Sequence, residues 1–104
     1  MLVWFSVTPI GTGSPSVSAE VARAVAAVRA MGVTAKTEAS GTLLEGDWDA
    51  CMAALRAAGD AVLEVAPRVS FTCKFDVRRD KPNQTGADKM ASLNQRLGRV
   101  EDAS

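Results

Sequence analysis

Apolar and polar residues alternate along Leu2 to Ile10. Val3, Phe5 and Val7 fall on one side and Trp4, Ser6 and Thr8 on the other, before Pro9 and Gly11 stop the run. A period of two sends successive side chains to opposite faces of a strand, so this segment predicts a strand with one apolar face. From Val17 the period changes. Val17, Val21, Val25 and Val28 recur every three or four residues, the spacing of a buried helical stripe, with Glu20, Arg23 and Arg29 off it. The helix is expected to start at Ser14, with Pro15 at its first position, or at Ser16. Gly32 ends it as the left-handed cap residue.

Val33 to Ser40 alternates more weakly, Gly41 interrupts, and Thr42 to Glu45 resumes, which predicts two strands in a tight connection. Asp47 then stands as an N-cap. Trp48, Cys51, Met52, Leu55, Ala58 and Val62 form the inner stripe of a second helix, and Pro67 closes the region. Arg68 to Arg78 is the clearest strand. Val69, Phe71, Cys73, Phe75 and Val77 point one way; Ser70, Thr72, Lys74, Asp76 and Arg78 point the other. Arg79 to Thr85 is a polar loop, and Gly86 to Val100 a last helix with Met90, Leu93, Leu97 and Val100 on one edge.

The order is βαββαβ plus a terminal helix. It predicts an α+β, ferredoxin-like domain over residues 1–104, with a four-stranded antiparallel sheet and an extra C-terminal helix. Right-handed crossovers place the two main helices on one sheet face. Odd-numbered residues of the first and last strands then meet the helices. Even-numbered ones face a surface that only the last helix or another subunit could shield.

Composition narrows the function. The chain has 104 residues, 47% of them apolar, which suits one domain with a real core. Twelve basic and twelve acidic residues cancel, so neither nucleic acid nor an anionic membrane is an expected partner. No apolar run approaches the ~20 residues of a membrane span, and no basic-then-apolar leader is expected at the N-terminus. Two cysteines suggest no disulfide framework and favour a reduced, cytoplasmic setting; both fall on inward stripes, as small buried hydrophobes. The chain has no histidine. That removes the commonest metal ligand and general base, so no metal, cofactor or catalytic residue is expected.

The uncovered sheet face carries Trp4, Ser6 and Thr8 with Thr72, Lys74 and Asp76. Such a surface suits a flat polar heterocycle: the ring stacks, and the carboxylate accepts from an exocyclic amine or protonated ring nitrogen. Packing of another subunit accounts for the same residues. The Gly11–Ser16 turn offers free amides to an anion but lacks the lysine and spacing of a P-loop, and a plain turn with a helix cap explains it equally. Arg78-Arg79-Asp80-Lys81 reads as a solvated run or as pairs across a subunit boundary.

Three stretches carry a resemblance: Phe5-Ser6-Val7-Thr8-Pro9-Ile10-Gly11-Thr12-Gly13-Ser14; Gly41-Thr42 through Glu45-Gly46-Asp47-Trp48-Asp49; and Lys74, Asp76 and Arg78-Arg79-Asp80-Lys81-Pro82. From about Leu2 to Leu93 the chain resembles a small bacterial and archaeal family of thiamine-binding proteins. The resemblance implies a ferredoxin-like fold and non-catalytic binding of thiamine or its hydroxymethylpyrimidine part, in salvage or precursor transport. It also implies a homo-oligomer built as a dimer of dimers. Its pocket members would be Ser6, Thr8, Gly11, Thr12, Gly41, Thr42, Glu45, Lys74 and Asp76. The chain departs from the family pattern at Ala39-Ser40, where Pro-Met is usual, at Gly59-Asp60, where His-Glu is usual, and at Val77, where a second Asp is usual. The alternative is a structural or regulatory oligomer whose open sheet face only packs subunits.

Overall fold

The strand expected at Leu2–Ile10 forms with those bounds (β1). The structure, a computed structural model, describes residues 1–103. After β1 come α1 (Ser18–Ala30), β2 (Thr34–Glu38), β3 (Gly41–Glu45), α2 (Trp48–Leu63), β4 (Arg68–Asp76) and α3 (Gly86–Asp102). The strands make one antiparallel sheet in the order β2-β3-β1-β4. This is the ferredoxin-like α+β arrangement with an added C-terminal helix.

Register decides the two faces. Val3 lies opposite Leu44 and Phe75, and Phe5 opposite Thr42 and Cys73. Directly opposed residues share a face. Val3, Phe5 and Leu44 are buried in one cluster with Ala24 and Val28 of α1 and with Cys51, Ala54, Leu55, Ala58 and Val62 of α2. Both helices therefore cover that face. Trp4, Ser6 and Thr8 turn away with their partners Lys74, Thr72 and Ser70, as the alternation predicts. The helical layer approaches closely because its contacts are small. A Cβ on buried Gly59 would lie 3.0 Å from the Phe71 ring.

Local signals explain the helix ends. The Asp47 carboxylate accepts from Ala50 N–H at 2.7 Å and caps α2. Gly32, at φ +76°, follows the last turn of α1, the left-handed position expected of it. Thr85 and Asp88 form a reciprocal capping box at the start of α3.

The structure corrects several expectations. α1 starts at Ser18, with Val17 as an N-cap that makes no side-chain bond. Ser14 instead closes the preceding turn: its hydroxyl accepts from Ser16 N–H, and its carbonyl accepts from the Thr12 hydroxyl. The buried positions of α1 are Ala24 and Val28, while Val17, Val21 and Val25 are only half-buried. Trp48 and Met52 are exposed, and the α2 stripe runs through Ala54 and Gly59 instead. β4 ends at Asp76. Its helix-facing Phe71, Cys73 and Phe75 are exposed, so Cys73 is not the buried hydrophobe the pattern suggested. The reason is position. β4 is the sheet edge, and the helices cover the middle of the sheet.

α3 shields one end of the open face and no more. Gly86 N–H donates to the Glu45 carboxylate at 2.7 Å, and a Cβ on Gly86 would sit 2.7 Å from the Leu43 side chain. Leu2, on the same face, is buried. Lys89 pairs with Asp76. Beyond this first turn, Met90, Leu93, Leu97 and Val100 are exposed, and no residue of α3 is buried.

Candidate functional site

β1 is longer than one of its neighbours. It pairs with β4 from Leu2 to Ile10 but with β3 only from Leu2 to Phe5, because β3 begins at Gly41. Past Phe5 the β3-side edge of β1 therefore faces no strand. A cavity of about 140 Å³ lies there, bounded by the β2–β3 turn and by α1. Val7, Val21 and Val25 supply apolar wall; Ser6, Thr37, Glu38 and Thr42 supply polar groups. Thr42 is buried, and its hydroxyl shares a hydrogen bond with its cross-strand partner Thr37 at 3.1 Å. A buried hydroxyl with its partner in place has a defined orientation.

Gly41 closes this corner for a steric reason. A Cβ there would fall 2.6 Å from two carbons of the Trp4 indole and 2.7 Å from the Phe5 carbonyl oxygen. The indole thus lies against the start of β3 on the open face.

The nine residues of the resemblance divide into groups. Ser6, Gly41 and Thr42 line the hairpin cavity together. Thr8 follows on the open face of β1. Gly11 and Thr12 belong to the turn beyond, where Gly11 has φ +84° and packs so tightly that a Cβ would meet Pro67 at 2.7 Å. Glu45, Lys74 and Asp76 lie toward the other end of the sheet. Glu45 and Asp76 flank Leu2 across the strands, and Lys74 faces Trp4. At about 3.3 Å per residue, the level of Leu2 is about 13 Å from that of Ser6. One small ring in the cavity cannot reach both.

Electrostatics distinguishes the acids. The hydrogen bond from Lys89, with smaller help from Lys74 and Arg78, holds Asp76 below the usual carboxylate range. Asp80 is held low in the same way by its hydrogen bond to Arg78. Both thiols titrate above ordinary cysteine, Cys51 chiefly through burial and Cys73 through desolvation, so neither is an activated thiolate. Among the described residues no group of three or more His, Cys, Asp or Glu could hold a metal ion. No described helix is long and apolar enough to cross a membrane.

Sequence reasoning missed Thr37, Glu38, Val21 and Val25 as cavity walls. The only signal was indirect: the second strand pair is shorter than the first strand, so one of its edges had to stay open.

Comparison with known proteins supplies the decisive observation. The sequence model of the thiamine-binding protein family matches residues 3–94. The chain belongs to the thiamine-binding protein family. Relatives of this thiamine-binding-family chain include a UPF0045 protein of Mycobacterium bovis, 41% identical over 97% of this chain and 98% of that one. A UPF0045 protein of Methanothermobacter thermautotrophicus is 40% identical over 88% and 94% of the two chains. Among solved structures, a hypothetical protein of Methanocaldococcus jannaschii superposes with a TM-score of 0.82 at 33% identity, covering 89% of this chain and 94% of its own. A Thermotoga maritima protein shares the fold at a TM-score of 0.75 and 17% identity, over 88% and 96% of the chains.

Proposed function

We propose that this protein binds thiamine through its hydroxymethylpyrimidine half, without catalysis, in thiamine salvage or precursor transport in the cytoplasm. Membership of a binding-protein family supports the ligand class. So does the naming of the Thermotoga maritima structure as a candidate thiamine biosynthesis or salvage protein.

The observation that carries the reading is the cavity beside the open edge of β1. Its volume of about 140 Å³ is well below the roughly 300 Å³ at which drug-sized pockets begin. It suits a single small ring, and so the pyrimidine half alone. Val21 and Val25, one turn apart on α1, cover one face of the ring. The Thr42 hydroxyl meets the ring from the helix side, Ser6 and Glu38 border it at the open edge of the sheet, and Gly41 lets the Trp4 indole close the corner. The remainder of the ligand runs along β1 past Thr8 toward Gly11 and Thr12. Glu45 and Asp76 act at a distance by holding α3, and Lys74 stands with Trp4 on the open face.

Calorimetric titration with thiamine and with free hydroxymethylpyrimidine, at about 100 μM protein, tests this. Both should give saturable heat. Absence of heat for either ligand removes the proposal.

One observation favours a second reading. The exposed Met90, Leu93, Leu97 and Val100 edge of α3 suits assembly into a homo-oligomer, a dimer of dimers, and a structural or regulatory role would need nothing more. In that case a ligand leaves the melting temperature unchanged. A ligand that binds the folded state raises it.

A further inference from the structure

A second and larger hollow lies at the other end of the sheet. This cleft of about 950 Å³ opens between the start of β1, the N-terminal end of α2 and the chain between β4 and α3. It shares no residue with the hairpin cavity.

Its walls combine two chemistries. Trp48 and Val77 are both more than half exposed, yet both line this concave surface. The Trp48 indole is held in place by stacking on Phe75, at 5.6 Å between centroids and 21° between planes. A large aromatic that is left open but fixed in orientation presents a prepared stacking surface. Arg78 and Arg79 lie in the same lining. Arg78 is fixed by Asp80 through its Nε and Nη2. Arg79 has no ion-pair partner among the described residues. Two carboxylates also line the cleft, but each is already engaged: Asp47 by Ala50 N–H and Glu45 by Gly86 N–H. Neutral amide donors leave both carboxylates charged, so what the cleft offers an anion is specifically Arg79, the lining guanidinium that no carboxylate pairs. A guanidinium matches a carboxylate or phosphate with two parallel hydrogen bonds.

We propose that this cleft is a separate small-molecule site for a planar aromatic ring bearing an anionic group, with the ring against Trp48 and the anion on Arg79. The ring alone finds no polar anchor here, and a simple anion leaves the apolar wall wet. Only the joined ligand uses both.

Tryptophan fluorescence tests the site. In a Trp4→Phe protein Trp48 is the sole tryptophan, since the chain has two. Phenyl phosphate and benzoate are the probes, with inorganic phosphate and neutral benzyl alcohol as controls, each to about 10 mM, a range that captures weak binding. The expected result is saturable quenching by at least one aromatic anion, and the better of the two identifies the anionic group. Each control should bind at least about tenfold more weakly, one tenfold step being 1.4 kcal/mol. Arg79→Ala should weaken binding about tenfold or more, and Arg79→Lys should restore part of it. Thr42→Val, in the other cavity, should leave it unchanged, so this site is separable from the pyrimidine reading. No saturable quenching by either aromatic anion overturns the proposal. So does binding of inorganic phosphate as strong as that of phenyl phosphate, or insensitivity to Arg79→Ala.

Discussion

The indole of Trp4 occupies the space that a side chain on Gly41 would need: a Cβ there would lie 2.6 Å from two indole carbons. The two residues are locked together where β1 loses its β3 neighbour, beside the hairpin cavity. Gly41→Ala must displace either the ring or the Phe5 carbonyl, and the carbonyl belongs to the central strand and cannot move. We expect a loss of about 1–3 kcal/mol in urea denaturation, the usual cost of overpacking. Trp4→Ala in the same protein should recover only part of it, because the Phe5 carbonyl still lies 2.7 Å from the added Cβ.

Thr42→Val separates stability from binding. The change removes the hydroxyl bonded to Thr37 but leaves no buried polar atom unsatisfied, since Thr37 is exposed and can turn to water. Stability should change by less than about 1 kcal/mol. Affinity for hydroxymethylpyrimidine in calorimetry should fall about tenfold, the worth of one good hydrogen bond.

The anchor of α3 should show a one-sided pH dependence. Asp76 is held below its ordinary value by Lys89, so its folded pKa lies below the unfolded value of about 3.9. Its contribution is complete above the unfolded value and is lost as pH falls through the folded one. The protection of the first turn of α3 against hydrogen exchange, taken relative to the intrinsic exchange rate at each pH, should therefore be flat near neutrality and fall only below about pH 4. Asp76→Asn should exchange faster at neutral pH and lose the acid-side dependence. An equally steep dependence in Asp76→Asn would assign it to another group.

The core itself offers a calibration. Leu44 is fully buried between the helices and β1. Leu44→Ala should cost about 2–5 kcal/mol in equilibrium unfolding, the range for a buried leucine whose site cannot collapse. Asp47→Ala, which deletes the cap on Ala50 N–H, should cost about 1 kcal/mol. The ranking of the two is the sharper part of the expectation.

Finally, Leu93 and Leu97 lie on the exposed edge of α3. If that edge joins subunits, Leu97→Asp should lower the mass measured by sedimentation without altering the far-ultraviolet circular dichroism. An unchanged mass would move the interface elsewhere, with the β4 edge next in line, because Phe71 and Phe75 stand exposed along it.

The pattern of residues by itself determined the elements, their order and the two faces of the sheet. Alternation in Leu2–Ile10 and Arg68–Asp76 is a local property of the extended chain, and one register error would have inverted every side chain. The cap at Asp47 is local in the same sense, whereas the pattern left Thr85 in a loop and the structure made it the cap of α3. What only the tertiary structure decided was coverage. Trp48, Phe75 and Cys73 carry the periodicity of core residues, yet they stand exposed because β4 became the edge of the sheet and the helices packed over its centre. The hairpin cavity is of the same kind. Ser6 and Thr42 border it because β3 starts level with the middle of β1, and Glu45 and Asp76 fall at the far end because both pair with Leu2. Periodicity states which way a side chain points; whether anything lies there depends on the lengths and positions of elements distant along the chain.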